Sequence, residues 1–129
     1  MSKGLELYQS RLGRIERQQG RVILHFPHAS IYQAKGLPGR DPGIEWSQEV
    51  ELTLDAASLS PATAALPNMI DDGYFEVDGQ RYEVIPLPLG EHEVGHLHLT
   101  FADGSELDVQ GSHPLIKLIG KAKRLEDFL

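Results

Sequence analysis

The stretch most suggestive of catalysis is His92-Glu93-Val94-Gly95-His96, which matches the HExxH pattern of zinc peptidases. In those enzymes the pattern lies on a helix, where two histidines four residues apart share a face and hold zinc while the glutamate activates the bound water. Here Pro86, Pro88 and Gly90 come just before the motif, and proline interrupts a helix because it lacks the N–H donor and clashes with the preceding turn. A zinc metallopeptidase is therefore a disfavoured functional alternative.

The residues around the motif have the periodicity of a strand. Apolar side chains alternate with polar ones from His96 onward, as His96, Leu97, His98, Leu99, Thr100 and Phe101. Residues four apart on a strand are separated by about 13 Å, too far to share one zinc ion. His96 and His98 share a face, and the preceding loop could bring His92 to them, so a metal cluster of His92, His96 and His98 remains an open alternative. We favour a solvated polar face and predict no metal and no cofactor.

Other catalytic sets are weaker still. Ser112-His113 lacks the glycines of a nucleophile elbow, and Glu49 and Glu51 are interpreted as the wet side of a strand. The sequence has no cysteine, no P-loop and no GxGxxG motif, which excludes thiolate chemistry and the common nucleotide-binding loops. These observations favour a non-enzymatic protein.

A glycine- and proline-rich loop is the best candidate for binding. Residues 35–43 contain Gly36, Pro38, Gly39, Pro42 and Gly43, which restrict the backbone to unusual angles within a short span. The predicted binding residues on and beside this loop are Tyr32, Lys35, Arg40, Asp41 and Trp46. The parity of Trp46 places it in the core, where loop carbonyls could accept its indole N–H. The alternative is a loop that acts only as a strut.

The elements that must position these residues are predicted to be strands. In residues 44–56, Ile44, Trp46, Val50, Leu52 and Leu54 alternate with polar residues, and Asp78-Gly79 and Asp103-Gly104 have the composition of tight hairpin turns. Gln18-Gln19-Gly20 is a weaker turn signal, and residues 10–17 and 115–119 are predicted strands, whereas residues 121–128 remain open between helical turns and an extended tail. We therefore predict an all-β fold, an antiparallel β-sandwich or barrel of about eight strands. The alternative is α+β with an N-terminal helix, because Leu5, Tyr8, Leu12 and Ile15 have helical spacing.

Composition restricts the class of protein. The 129 residues predict a single β domain, 1–129, and the absence of an apolar N-terminal run or a long apolar stretch predicts a cytoplasmic protein without a membrane span. The net charge of −7 argues against nucleic-acid binding. Residues 41–114 contain fifteen acids and one base, Arg81, an asymmetry that either keeps the fold soluble or forms an acidic face for a basic partner protein.

The order of several segments resembles a group of small uncharacterised bacterial proteins. The resemblance runs through residues 31–43, 46–52, 85–89, 101–105, 118–120 and 125–128. It implies a β-rich fold but no particular chemistry. Some small bacterial proteins of this general appearance neutralise toxins, which gives an analogy only at the level of the fold.

Two functional hypotheses follow. The first is an intracellular protein-interaction module of the inhibitor or immunity type, and the second is a small-ligand-binding β barrel. A ligand binder should enclose an apolar pocket with a few convergent polar groups, whereas a protein-binding module should have a filled interior and an exposed patch. The sequence leaves the partner and the oligomeric state open.

Overall fold

A computed structural model describes residues 2–34, 43–60 and 65–128. These residues form nine strands and no helix, so the described part of the chain contains no helix that could cross a membrane. The strands are β1 Ser2–Leu12, β2 Arg14–Gln18, β3 Arg21–Ala34, β4 Gly43–Leu59, β5 Asn68–Val77, β6 Gln80–Tyr82, β7 Val84–Leu87, β8 Val94–Phe101 and β9 Glu106–Phe128.

Six of the strands close into an antiparallel barrel in the order β1–β3–β4–β9–β8–β5 and back to β1. The all-β prediction is confirmed, and closure identifies the architecture as a barrel. Three further strands pair outside this circuit: β2 with β3, β6 with β5, and β7 with β1. Because closure pairs the first strand with strands far along the chain, the barrel depends on non-local contacts.

β1 bends so that its two ends have different neighbours. Its first half lies between β3 and β7, whereas Arg11 and Leu12 pair with β5. The register with β3 shifts between Glu6 and Arg11, and Gln9 in this interval has a φ of 68°. Such a bulge turns a strand at a barrel corner.

The predicted hairpins are confirmed. Asp78 and Gly79 have φ angles of 47° and 84°, the pair of positive values that a two-residue type I′ turn requires, and Gln19 and Gly20 have a similar pair, 51° and 83°. At the third turn Gly104 has a φ of 85°. These turns connect β5 to β6, β2 to β3 and β8 to β9.

The interior of the barrel is filled by side chains. Twenty apolar residues of the described chain form one buried cluster, and Phe26, Phe75 and Phe101 are its largest members, each at most 1% exposed. Trp46 packs against this cluster from β4, opposite Ile31 on β3, as its parity predicted. The fold is therefore a barrel with a packed apolar interior.

Two predictions of element boundaries were wrong. The predicted strand 10–17 is divided at Gly13 between β1 and β2, and the alternative N-terminal helix is absent because β1 and β2 are strands and the described residues contain no helix. Residues 115–119 are not a separate short strand but the middle of β9, which has 23 residues. For residues 121–128, which the sequence left open, the structure shows the extended alternative, because they continue β9 and pair with β4 through shifts in register.

Candidate functional site

The predicted binding loop lies largely outside the described residues. Lys35, Arg40 and Asp41 all lie there, so their role as a binding surface stays a prediction. Tyr32 and Trp46 lie on neighbouring strands, where Tyr32 is opposite Glu45 and Trp46 is opposite Ile31. Since adjacent residues of a strand point to opposite faces, these two aromatic residues do not form one surface.

Trp46 has an unusual indole group. Its Nε1 is buried and has no hydrogen-bond acceptor among the described residues. The loop carbonyls expected to accept this N–H belong to residues that the structure does not describe. A buried donor without an acceptor is unfavourable by about 1–3 kcal/mol.

Tyr32 belongs to a polar network on the outer face of β1, β3 and β4. Its hydroxyl donates to Glu6, and Ser30 Oγ donates to Glu45 Oε1 at 2.5 Å. Burial raises the pKa of Glu6, and the charge of Glu45 adds to this effect against the hydrogen bond from Tyr32. Burial, together with Glu6, also raises the pKa of Tyr32. The network holds two carboxyl groups in proximity through hydroxyl donors.

The two histidines of the HExxH stretch contact different carboxylates. His92 lies in the loop before β8, with Nδ1 3.1 Å from Asp78 Oδ2 and Nε2 3.0 Å from the carbonyl oxygen of Leu89. His96 lies on β8 instead, with Nε2 2.8 Å from Asp108 Oδ2 on β9. Within residues 2–34, 43–60 and 65–128, no group of three or more candidate ligands is arranged to hold a metal ion. The predicted strand over residues 96–101 is confirmed as part of β8.

His96 and His98 form a polar cluster with Asp108 and Tyr74. Asp108 Oδ2 also lies 3.1 Å from His98 Nδ1, so one carboxylate contacts both imidazoles. The Tyr74 ring stacks on His98 and meets His96 edge-on, each with ring centroids 5.5 Å apart, and the guanidinium of Arg81 lies 3.8 Å from the centroid of Tyr74. Although burial acts to raise it, the hydrogen bonds from His96 and His98 hold the pKa of Asp108 below its usual value. Each of these side chains therefore has a partner within the cluster, as expected of an ordered outer face.

An acidic cleft lies beside the loop that precedes β8. It has a volume of about 820 Å³ and is lined by Asp55, Asp78, Gly90, Glu91, His92, Glu93, His113, Pro114 and Leu115. Hydrogen bonds from the backbone N–H groups of Val94 and Glu93, and one from His92, lower the pKa of Asp78. These bonds fix the loop to the β5–β6 turn, so Asp78 has a structural role.

A second cleft lies where the barrel sheet separates. β8 pairs with β9 only up to Ser112, and in the described part of the chain residues 115–119 of β9 pair with β4 alone. β7 approaches from the other side and pairs, among described residues, only with β1. The cleft between them, about 270 Å³, is lined by Lys3, Leu87, Pro88, Leu89, Ile116 and Leu118. We call this cleft the seam and residues 115–119 the β9 edge.

The β9 edge is apolar on both faces. Its sequence is Leu-Ile-Lys-Leu-Ile, in which Ile116 and Leu118 are half-buried in the seam and Leu115 is 59% exposed on the other face. Native proteins commonly protect such edges with charges, bulges or a covering segment, because their backbone groups can pair with another chain. Sequence patterns did not predict the seam. The lack of alternation in residues 115–119 was its only signal in the sequence.

Comparison with protein-family models, with curated proteins and with solved structures gives no match for this chain. The resemblance to small bacterial proteins therefore stays a prediction.

Proposed function

We propose that the protein is a protein-binding module and that the seam with the β9 edge is its binding site. The observation that carries this proposal is an apolar strand edge beside an apolar cleft, in a barrel whose interior is already filled. An exposed edge can accept an extended segment through main-chain hydrogen bonds, while pockets beside it select side chains. A filled interior supports the protein-binding hypothesis over the ligand-binding one.

Selection of displayed peptides tests this proposal. A library of random peptides of about ten residues, the upper length of ordinary strands, is panned on the wild-type protein and on Leu118→Asp, which places a charge in the seam. Leu87→Asp places a charge on the opposite side of the seam. It is a second, independent seam variant in case Leu118→Asp does not fold. Val94→Asp is the matched control, because Val94 is 56% exposed and does not line the seam.

We expect peptides that bind wild type and Val94→Asp and that lose binding to both seam variants, each verified as folded by circular dichroism and thermal unfolding. Peptides that bind all four proteins equally, or no enrichment on wild type, would contradict the proposal. The readout is the dissociation constant of resynthesised peptides.

A further inference from the structure

We infer that the segment recognised at the seam is an extended strand of a partner protein in which apolar residues alternate with acidic ones. This inference rests on the proposed function and specifies the partner's chemistry. It depends on three features: the direction of the β9 edge, the apolar seam, and the lysines around both.

The backbone favours an extended occupant. Residues 115–119 pair on one side with residues 49–53 of β4, so alternate N–H and C=O groups on their other side point toward the seam. A segment that adds there satisfies these groups and continues the sheet from β4 through β9 to the new strand. A partner's loop or helix would leave the same groups to water.

The seam determines one face of the added strand. Leu87, Leu89, Ile116 and Leu118 are all half-buried, and they pack against the core from the open side. Side chains of the added strand that point inward would cover these four residues and must be apolar. The volume of about 270 Å³ is just below the range of ordinary small-molecule pockets, about 300–1,000 Å³, and suits side chains of a strand better than a whole ligand.

Charge determines the other face. Lys117, in the middle of the β9 edge, is exposed and lies opposite Glu51 of β4. Lys3 is exposed at the rim of the seam. It is the one charged residue among the described residues that line the seam. Lys121 and Lys123 are exposed further along β9. Because opposite charges on adjacent strands stabilise a pair, acidic residues are expected on the partner strand next to Lys117.

A second copy of the chain fits less well. Two β9 edges that pair antiparallel about an axis at Lys117 would place this lysine directly opposite its counterpart. Like charges directly opposite each other are destabilising. Self-association is therefore an outcome that the experiment must distinguish and not the expected one.

Binding of synthetic peptides tests the inference. The probes are fluorescein-labelled peptides of about nine residues, within the ordinary strand range, that alternate valine with glutamate, with glutamine or with lysine, plus a glutamate peptide with a central proline. The proteins are wild type, Lys117→Glu, and Arg17→Glu as the matched control. Arg17 is exposed on β2 and pairs across to β3, so its reversal changes net charge equally.

We expect the glutamate peptide to bind wild type about tenfold more tightly than the lysine peptide at low salt, corresponding to about 1.4 kcal/mol. Lys117→Glu should abolish or reverse this preference, Arg17→Glu should preserve it, and the proline peptide should bind poorly. Equal binding of the glutamine, glutamate and lysine peptides would overturn the acidic preference while leaving the protein-binding proposal intact. A doubled mass in sedimentation with no peptide binding would overturn the inference in favour of a second copy. Failure of every peptide, together with no enrichment in the library selection, would overturn both.

Discussion

At the scale of residues, the glycine in the HExxH stretch has a packing role. A Cβ on Gly95 would lie 2.9 Å from Leu54 Cδ2 and 3.2 Å from Phe75 Cζ, closer than normal carbon contacts. Gly95 pairs across β8 and β9 with Gly111, which is equally crowded by Leu54. The segment that matches the peptidase motif thus contains a glycine, Gly95, that the packing of the core requires.

Gly95→Ala should destabilise the protein by about 1–3 kcal/mol, the usual range for overpacking a core. The measurement is chemical denaturation, repeated in a Leu54→Ala background where the crowding methyl groups are missing. We expect the cost of Gly95→Ala to fall in that background, since the coupling is steric. An equal cost in both backgrounds would show that crowding by Leu54 is not the cause.

Glu6 gives a prediction of pH dependence. Burial raises its pKa above the ordinary value of 4.5, so the folded state binds this proton more readily than the unfolded state. The stability from this group is complete below pH 4.5 and is lost as the pH rises through the folded pKa. Glu6→Gln, which stays neutral, should therefore be more stable than wild type at neutral pH and equal to it at acidic pH.

The measurement is thermal unfolding of wild type and Glu6→Gln from acidic to neutral pH. Glu49→Gln serves as the control because Glu49 is an exposed carboxylate on β4. A Glu6→Gln variant that is less stable at neutral pH would show that the hydrogen bond from Tyr32 to the carboxylate outweighs the cost of burial.

At the scale of elements, the β9 edge needs its central charge. In residues 115–119, Lys117 is the one charged residue among four aliphatic ones. Short apolar segments with high β propensity aggregate when exposed, and single charges act as gatekeepers. Lys117→Val should therefore increase self-association several-fold without loss of the native fold.

Light scattering and sedimentation at matched concentration measure this effect. Lys123→Val is the control, since Lys123 is also an exposed lysine of β9 but lies outside the edge. Similar aggregation of the two variants would indicate a general loss of charge, and an unaltered Lys117→Val protein would mean that the edge is protected in another way.

The sequence predicted elements better than their ends. Period-two alternation identified most of β4, and Asp78-Gly79 and Asp103-Gly104 located their hairpins because positive φ is locally encoded. The limits of β9 were missed because Pro114 and Gly120 indicate breaks. In the folded chain, His113 and Gly120 adopt positive φ angles of 50° and 69°, and the strand continues through both irregularities against β4.

At the scale of the whole molecule, closure and the seam could not be predicted from the sequence. Both depend on which distant strands meet. β1 pairs with β3, β5 and β7, whereas β8 pairs with β9 only from Val94, opposite Ser112, and β9 continues past Ser112 without β8. Local patterns do not encode these partners. The predicted residues on the loop, Lys35, Arg40 and Asp41, remain candidates outside the described residues, and binding there would be an independent surface.

The lysines around the seam differ in sign from the net charge of the whole molecule. The chain carries a net charge of −7, yet Lys3, Lys117, Lys121 and Lys123 lie around the seam and along β9. The acidic cleft at residues 90–93 lies beside the same loop that borders the seam. An acidic strand would therefore be attracted to β9 and repelled by the neighbouring cleft, which favours a defined orientation.

Amide hydrogen exchange, measured by NMR with and without a peptide from the library selection, tests the central proposal most directly. In the free protein we expect alternate amides of residues 115–119, those not bonded to β4, to exchange rapidly. Bound peptide should slow the same amides by an order of magnitude or more and leave residues 90–93 unchanged, because the peptide then donates and accepts the missing ladder bonds. Peptide binding without slower exchange in residues 115–119, or with protection confined to another surface, would contradict the assignment of the β9 edge as the binding site.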